Sequence, residues 1–195
     1  MANDIKRKRY CELLALRYRR GDASALEELI KMWEQPLFYY VRRLTDSEED
    51  AWDCLQETWI KVMRQLHRLR DDQSLAAWLY KIARNTVMSH YRRSKRLLSL
   101  DEEENVPADI MEEYHLAIAP EDILDVHRAI ESLNLPQREA ITLHFLENFT
   151  LEEIADITQT PIGTIKSRLY HAKTRLRQAL TESKPSDAPK GERHA

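Results

Sequence analysis

Apolar residues recur three and four positions apart along most of this chain, which is the period of an α-helix packed on one side. Between residues 22 and 44 the stripe is Ala25, Leu26, Leu29, Ile30, Trp33, Leu37, Tyr40, Val41 and Leu44. Pro36 falls inside it and predicts a kink or a split there. Thr45, Asp46 and Ser47 then offer N-caps ahead of Glu48, Glu49 and Asp50, acids that suit a helix start. The next stripe is Ala51, Leu55, Trp59, Val62, Leu66 and Leu69. Ser74 can cap a third helix, with Leu75, Trp78, Leu79, Ile82, Ala83 and Thr86 facing inward. Helices of this kind make one bundle. Residues 100–120 hold no sustained period and contain Pro107 and Pro120, so they read as a linker with at most a short helix near 110–116. A second helical set begins near Glu121, with Ile123, Val126, Ile130 and Leu133 on its first stripe. Leu135-Pro136 opens another helix, since proline suits the first turn. That helix carries Ala140, Ile141, Leu143, His144 and Phe145.

The most informative stretch follows. Thr150 and Glu153 have the spacing of a capping box, in which hydroxyl and carboxylate satisfy backbone N–H groups reciprocally. Leu151, Ile154, Ala155 and Ile157 give about two helical turns. Residues 158–160 break the helix, Thr160 caps again, and Pro161 starts a longer helix with Ile165, Leu169, Ala172 and Leu176 inward. A short helix, a tight turn and a longer basic helix form a helix-turn-helix, whose second helix enters the major groove of DNA. The alternative is a helical hairpin in an ordinary bundle.

Composition agrees with helices. Hydrophobic residues are 43% of the 195, enough for a core, and 3 Gly and 7 Pro are few for a β-rich chain. The net charge of -3 hides strong segregation. Residues 90–96 read HYRRSKR. Residues 100–125 carry many acids and neither Lys nor Arg. Residues 157–181 carry Lys166, Arg168, Lys173, Arg175 and Arg177 and no acid. Two basic blocks split by an acidic segment predict two polyanion-facing surfaces on a tether. Cys11 and Cys54 stand apart with no CxxC spacing, against a disulfide scaffold and for a reducing compartment. No apolar run approaches the roughly 20 residues of a membrane span, and no signal-peptide core follows the basic start, so a cytoplasmic location is expected. Gly-rich phosphate loops, GxSxG and HExxH are absent, and the seven His are scattered. No enzyme, catalytic residue, metal or cofactor is expected.

In the first bundle, Trp78, Tyr80 and Tyr91 lie beside Asn85, Ser89 and the basic block. Aromatics next to Arg and Asn suit unpaired bases, which stack and expose their Watson–Crick edges. The position of Trp78 in its stripe also suits core packing, so Asn85 and Arg92 are the better candidates. Asp53, Gln56 and Glu57 share a face opposite the Leu55–Trp59–Val62 stripe, an acidic patch with no core role.

Three segments together resemble the extracytoplasmic-function sigma factors of bacterial RNA polymerase: residues 50–59 (DAWDCLQETW), residues 78–85 (WLYKIARN), and residues 135–140 (LPQREA) followed by 153–155 (EIA) and 161–169 (PIGTIKSRL). The resemblance spans about residues 22–180. It implies an all-α fold of two small helical domains joined by an acidic linker: an N-terminal extension or first helix at 1–21, a region 2 bundle at 22–97, the linker at 98–120, a region 4 helix-turn-helix domain at 121–180, and a disordered tail at 181–195. It implies a promoter-specificity subunit, with core polymerase (clamp helices of β′, flap of β) and promoter DNA as partners and an anti-sigma protein as a further candidate. Asp50, Asp53, Gln56 and Glu57 would bind the polymerase. Trp78, Lys81, Arg84, Asn85, Ser89, Arg92, Arg93 and Arg96 would bind the minus-10 element. Pro161, Gly163, Thr164, Lys166, Ser167, Arg168, Tyr170, His171, Lys173 and Arg175 would bind the minus-35 element. The acidic linker would run towards the active centre and RNA exit path. Ser89 stands where the family often has Asp or Asn, Thr158-Gln159 where Leu-Gly is usual, and Asn148 at another frequent Gly. A left-handed Gln159 would carry about 1 kcal/mol of strain. The competing reading is a stand-alone helix-turn-helix regulator, which would bind duplex sites tightly without polymerase.

Overall fold

A computed structural model of the chain describes residues 2–69, 74–94 and 123–182. The acidic linker, Arg96 and the tail from 183 onwards lie outside the described residues. All regular structure described is helical. Helices α1 (Ala2–Arg19), α2 (Ser24–Leu44), α3 (Glu48–Gln65) and α4 (Leu75–Ser94) form the first set. A 3₁₀ turn, Leu66–Arg68, closes α3. Helices α5 (Ile123–Glu131), α6 (Leu135–Ile141), α7 (Leu151–Thr158) and α8 (Ile162–Glu182) form the second.

The ends of these helices follow local chemistry. Gly21, at φ +93°, turns the chain between α1 and α2, a backbone shape open to glycine without penalty. The Ser47 hydroxyl accepts from the Asp50 N–H at 3.0 Å and starts α3. Asn134 caps α6 in the same way through Gln137, with proline in the first turn behind it.

Helix α2 runs unbroken through Pro36. A proline inside a helix costs about 3 kcal/mol. Burial on both sides of it offsets that cost, because Leu29 and Trp33 before Pro36 and Leu37, Tyr40, Val41 and Leu44 after it all enter one core. Helix α6 ends at Ile141 and continues as a π-helical turn, Thr142–Leu146, where one helix through Phe145 is expected from the pattern. The wider turn buries Thr142 and Leu143 and leaves Phe145 and Leu146 exposed.

The sequence suggests two separate bodies on a tether, but the two helical sets pack against each other. Helix α4 lies along α7, and α2 meets α6. An aromatic chain crosses the seam. Tyr80 is fully buried, its ring 4.9 Å from Tyr40, 6.2 Å from Trp33 and 4.9 Å from Phe149 of the second set. Edge and tilted contacts at these separations suit aromatic quadrupoles. The physical reason for docking is therefore apolar: each set presents part of a shared core.

Candidate functional surfaces

Helix α4 has three faces. Leu79, Ala83, Thr86 and Val87 fill the first core, and Thr86 Oγ1 accepts from Lys61 Nζ at 3.0 Å. Tyr80, Arg84 and Lys81 turn towards α6 and α7. Arg84 Nε donates to Glu139 Oε1 at 2.9 Å, and the Tyr40 hydroxyl donates to the same oxygen at 3.0 Å. Burial, and then the neighbouring Glu139 carboxylate, push the Tyr40 phenol well above its usual range, which keeps it a donor. Lys81 Nζ sits 2.8 Å from Asp156 Oδ1, and the Tyr80 hydroxyl donates to Glu147. The third face carries Trp78, Asn85, Ser89 and Arg92 at helical spacing. Asn85 and Arg92 are exposed, and Trp78 is half-buried against the core. The Ser89 hydroxyl donates to the Asn85 carbonyl at 2.7 Å, and Arg92 Nε donates to the Met88 carbonyl at 3.2 Å. Among the described residues, the expected minus-10 group thus divides three ways: the outward strip, Lys81 and Arg84 held by the other domain, and Arg93 paired with Glu57 of α3.

The basic end of α4 is tied to α3. Arg93 sits 2.7 Å from Glu57, which also pairs with Lys61 at 3.0 Å. His90 Nε2 lies 3.0 Å from Asp50, whose other oxygen accepts from the Ser47 hydroxyl at 2.7 Å. The Ser47 bond first, and His90 after it, hold the Asp50 carboxyl below its usual range. Burial, reinforced by Asp46, pushes the Tyr91 phenol to about 12. Asp50 and Glu57 therefore face α4, while Asp53 and Gln56 remain outward. Beside those two the sequence reading misses an apolar group: Trp52 (47% exposed), Ile60 (43%) and Met63 (46%). The Trp52 ring stacks on Phe38 with centroids 4.2 Å apart. The signal was available, since these apolar positions fall off the inward stripe of α3.

The helix-turn-helix starts on the capping box expected of it, whereas the Thr160 hydroxyl, expected to cap the second helix, donates to the Thr158 carbonyl at 3.2 Å. Thr150 Oγ1 accepts from the Glu153 N–H at 3.2 Å, and Glu153 Oε2 accepts from the Thr150 N–H at 3.0 Å. Gln159 takes the left-handed backbone at φ 55°, as does Asn148 at φ 58°. Ile154, Ile157, Ile165, Leu169, Ala172 and Leu176 are buried between α7, α8 and the helices behind them. This leaves Gly163, Ser167 and Tyr170 on the outer line of α8. Lys166 and Lys173 flank them on one side, Thr164, Arg168, His171 and Arg175 on the other. Pro161 and Gly163 are exposed at its start. Arg168 is steadied by a 3.4 Å bond to Thr160 Oγ1, and Ser167 donates to the Thr164 carbonyl at 3.0 Å. Lys173 sits 5.0 Å over the Phe145 ring. His171 is half-buried and edge-on to Tyr170, with Nε2 sealed inside the fold.

Among the described residues, no cluster of His, Cys, Asp or Glu could hold a metal ion, and no helix is long and apolar enough to cross a membrane.

The chain matches two family models, Sigma-70 region 2 over residues 29–97 and Sigma-70 region 4 over residues 123–176. It is 30% identical over 177 residues to the RNA polymerase sigma-H factor of Pseudomonas aeruginosa, covering 86% of this chain and 92% of that one. It is 34% identical over 172 residues to the ECF RNA polymerase sigma-E factor of Escherichia coli K12, covering 83% and 90%. Among solved structures, the sigma factor RpoE of Bartonella quintana, in complex with the anti-sigma factor NepR, matches with a TM-score of 0.61 at 26% identity, over 81% of this chain and 98% of that one. CnrH in complex with the cytosolic domain of CnrY shares the fold at a TM-score of 0.65 and 19% identity, over 90% and 99%. With both family regions present in order and full-length relatives at this identity, the chain belongs to the extracytoplasmic-function sigma factors of RNA polymerase.

Proposed function

We propose that α8 reads the minus-35 element, that the outward strip of α4 reads the minus-10 element, and that α3 holds core polymerase. The observation that carries this reading is the outer line of α8. Gly163 has open space where a side chain would project, so the fold gives no packing reason for glycine there. Glycine within a helix costs up to about 1 kcal/mol relative to alanine. A bare backbone flanked by Thr164, Lys166, Ser167 and Arg168 suits close approach by a phosphate backbone and base edges. On α4, Trp78, Asn85 and Arg92 supply a stacking face, an amide for base edges and a cation. On α3, Asp53 and Gln56 supply an acidic-polar centre with Trp52, Ile60 and Met63 around it. A mixed apolar and acidic surface suits a basic partner helix.

The chain acts in the cytoplasm with polymerase, and the chemistry of RNA synthesis belongs to that enzyme. The complex of the Bartonella relative with an anti-sigma factor supports a partner of that class for this chain.

Transcription in vitro with purified core polymerase tests the assignment. Replacing Lys166 and Arg168 with Ala is expected to reduce initiation on promoters that need a minus-35 element by at least ten-fold and to leave core binding intact. Each lost phosphate contact should also lower the salt slope of DNA binding by about 1. Equal loss of core binding would overturn the division of labour.

A further inference from the structure

We propose that Phe145 is a positioning residue for minus-35 recognition, its ring holding the Lys173 ammonium ready for a DNA phosphate. This inference rests on the assignment of α8 to the minus-35 element. The backbone sets Phe145 outward. In a regular helix, position 145 would lie one turn beyond buried Ile141, on the inward side. The π-helical turn adds a residue there: the Glu147 N–H donates to the Thr142 carbonyl, five positions back, at 3.1 Å. Phe149 enters the core instead, at 7% exposure, and Phe145 keeps 37%. Single π turns of this kind recur at functional sites. The ring is steadied from its own turn. His144 Nδ1 donates to the Phe149 carbonyl at 3.0 Å, and the His144 ring lies nearly perpendicular to that of Phe145, with centroids 4.7 Å apart. Lys173 meets the Phe145 ring 5.0 Å from its centroid. Among the described residues this ammonium has no carboxylate partner, and residues 157–181 contain no acid. An aromatic face restrains a cation through its quadrupole and leaves the charge uncancelled, which an acid would not. Lys81, by contrast, is paired with Asp156. Lys173 is accordingly half-buried, whereas Arg175 and Arg177 on the same helix are exposed. Lys166 lies about two turns earlier on the same side, so the two lysines line one flank of the outer strip. A lysine ordered before DNA arrives loses less side-chain freedom on binding.

The test titrates core polymerase carrying the full chain with a labelled promoter duplex whose minus-35 element is needed for the complex. Phe145→Leu should weaken DNA binding about two- to five-fold, the range of an exposed cation–π contact. Phe145→Trp, a better π face, should restore the parent affinity or exceed it. In a chain already carrying Lys173→Met, Phe145→Leu should change nothing further. Core polymerase binding should be the same for every variant. Four results would each overturn the inference: no loss with Phe145→Leu, no rescue by Phe145→Trp, a loss that persists without the Lys173 charge, or a loss of core binding. The third would mean that the ring touches DNA itself, and the fourth that it docks on the polymerase. Lys166→Ala with Arg168→Ala is run alongside. If that variant binds the duplex like the parent, the minus-35 reading of α8 itself falls. If it binds weakly while Lys173→Met binds normally, only the role given to Phe145 and Lys173 falls.

Discussion

Arg84 on α4 and Glu139 on α6 lie 55 positions apart in the chain and meet at 2.9 Å in a pocket almost closed to solvent. The same carboxylate oxygen also accepts from Tyr40. One acid thus joins three helices across the seam between the two domains. Removing it leaves a guanidinium and a phenol with no carboxylate. Glu139→Ala is expected to destabilise the docked protein by about 3 kcal/mol, the typical loss when one partner of a buried pair is deleted. Glu139→Gln keeps an acceptor for Tyr40 and should cost less. Urea unfolding measures both, and an unchanged midpoint for the Ala variant would show that the pair carries no net stability.

Gln159 holds a left-handed backbone at the turn of the helix-turn-helix. Gln159→Gly relieves about 1 kcal/mol of strain and gives back part of it through the freer unfolded chain. The expected net gain is roughly 0.5 kcal/mol, a rise in Tm of about 1–2 °C for a protein this size. A lower Tm would mean that the Gln159 side chain makes a contribution larger than its strain.

Glu57 bridges Lys61 and Arg93, and these bonds hold its carboxyl below the ordinary 4.5. As pH falls past that value, the unfolded chain takes up the proton first. The stability contributed by Glu57 is therefore complete above about 4.5 and disappears as pH drops through the lower folded value. Glu57→Gln should flatten this acid limb in thermal melts across pH 3 to 6, values spanning the carboxylate range. A limb of unchanged steepness would assign it to other carboxylates.

Trp52 presents 47% of its surface next to exposed Asp53 and Gln56. Trp52→Ala is expected to weaken core polymerase binding by at least 1 kcal/mol, about five-fold in affinity, as exposed aromatic anchors do at interfaces. Asp53→Lys should slow association as well, and more so at low salt. Stability should barely change for Asp53→Lys, whereas Trp52→Ala also loses the ring stacked on Phe38 and should cost about 1 kcal/mol. Binding equal to that of the parent would move the polymerase surface elsewhere on α3.

Much of the site was readable because it is local. The capping box at Thr150 and Glu153 needs only a spacing of three, and the inward stripe of α8 leaves its outer residues by subtraction. The partners of the polar groups were not readable. Asp53, Gln56 and Glu57 form one patch by spacing, to which the resemblance adds Asp50, yet Asp50 and Glu57 turn to His90 and Arg93, and Trp52 joins the outward group in their stead. His171 counts among the outer residues by polarity, yet its Nε2 is sealed inside. Pro36 argues against a continuous α2, because a propensity of a few kcal/mol is all a local reading can weigh.

Helical periods, caps, the turn between α7 and α8 and the segregation of charge were determined by the sequence alone, since each depends on neighbours within about four residues. Which carboxylate meets which cation was decided only by tertiary structure. Polar residues such as Glu139 and Asp156 carry no mark of their partner in a linear pattern. Their pairing with Arg84 and Lys81 follows from the burial of Tyr80 and Phe149 in one seam, which sets α4 against α7 and brings those charges within reach.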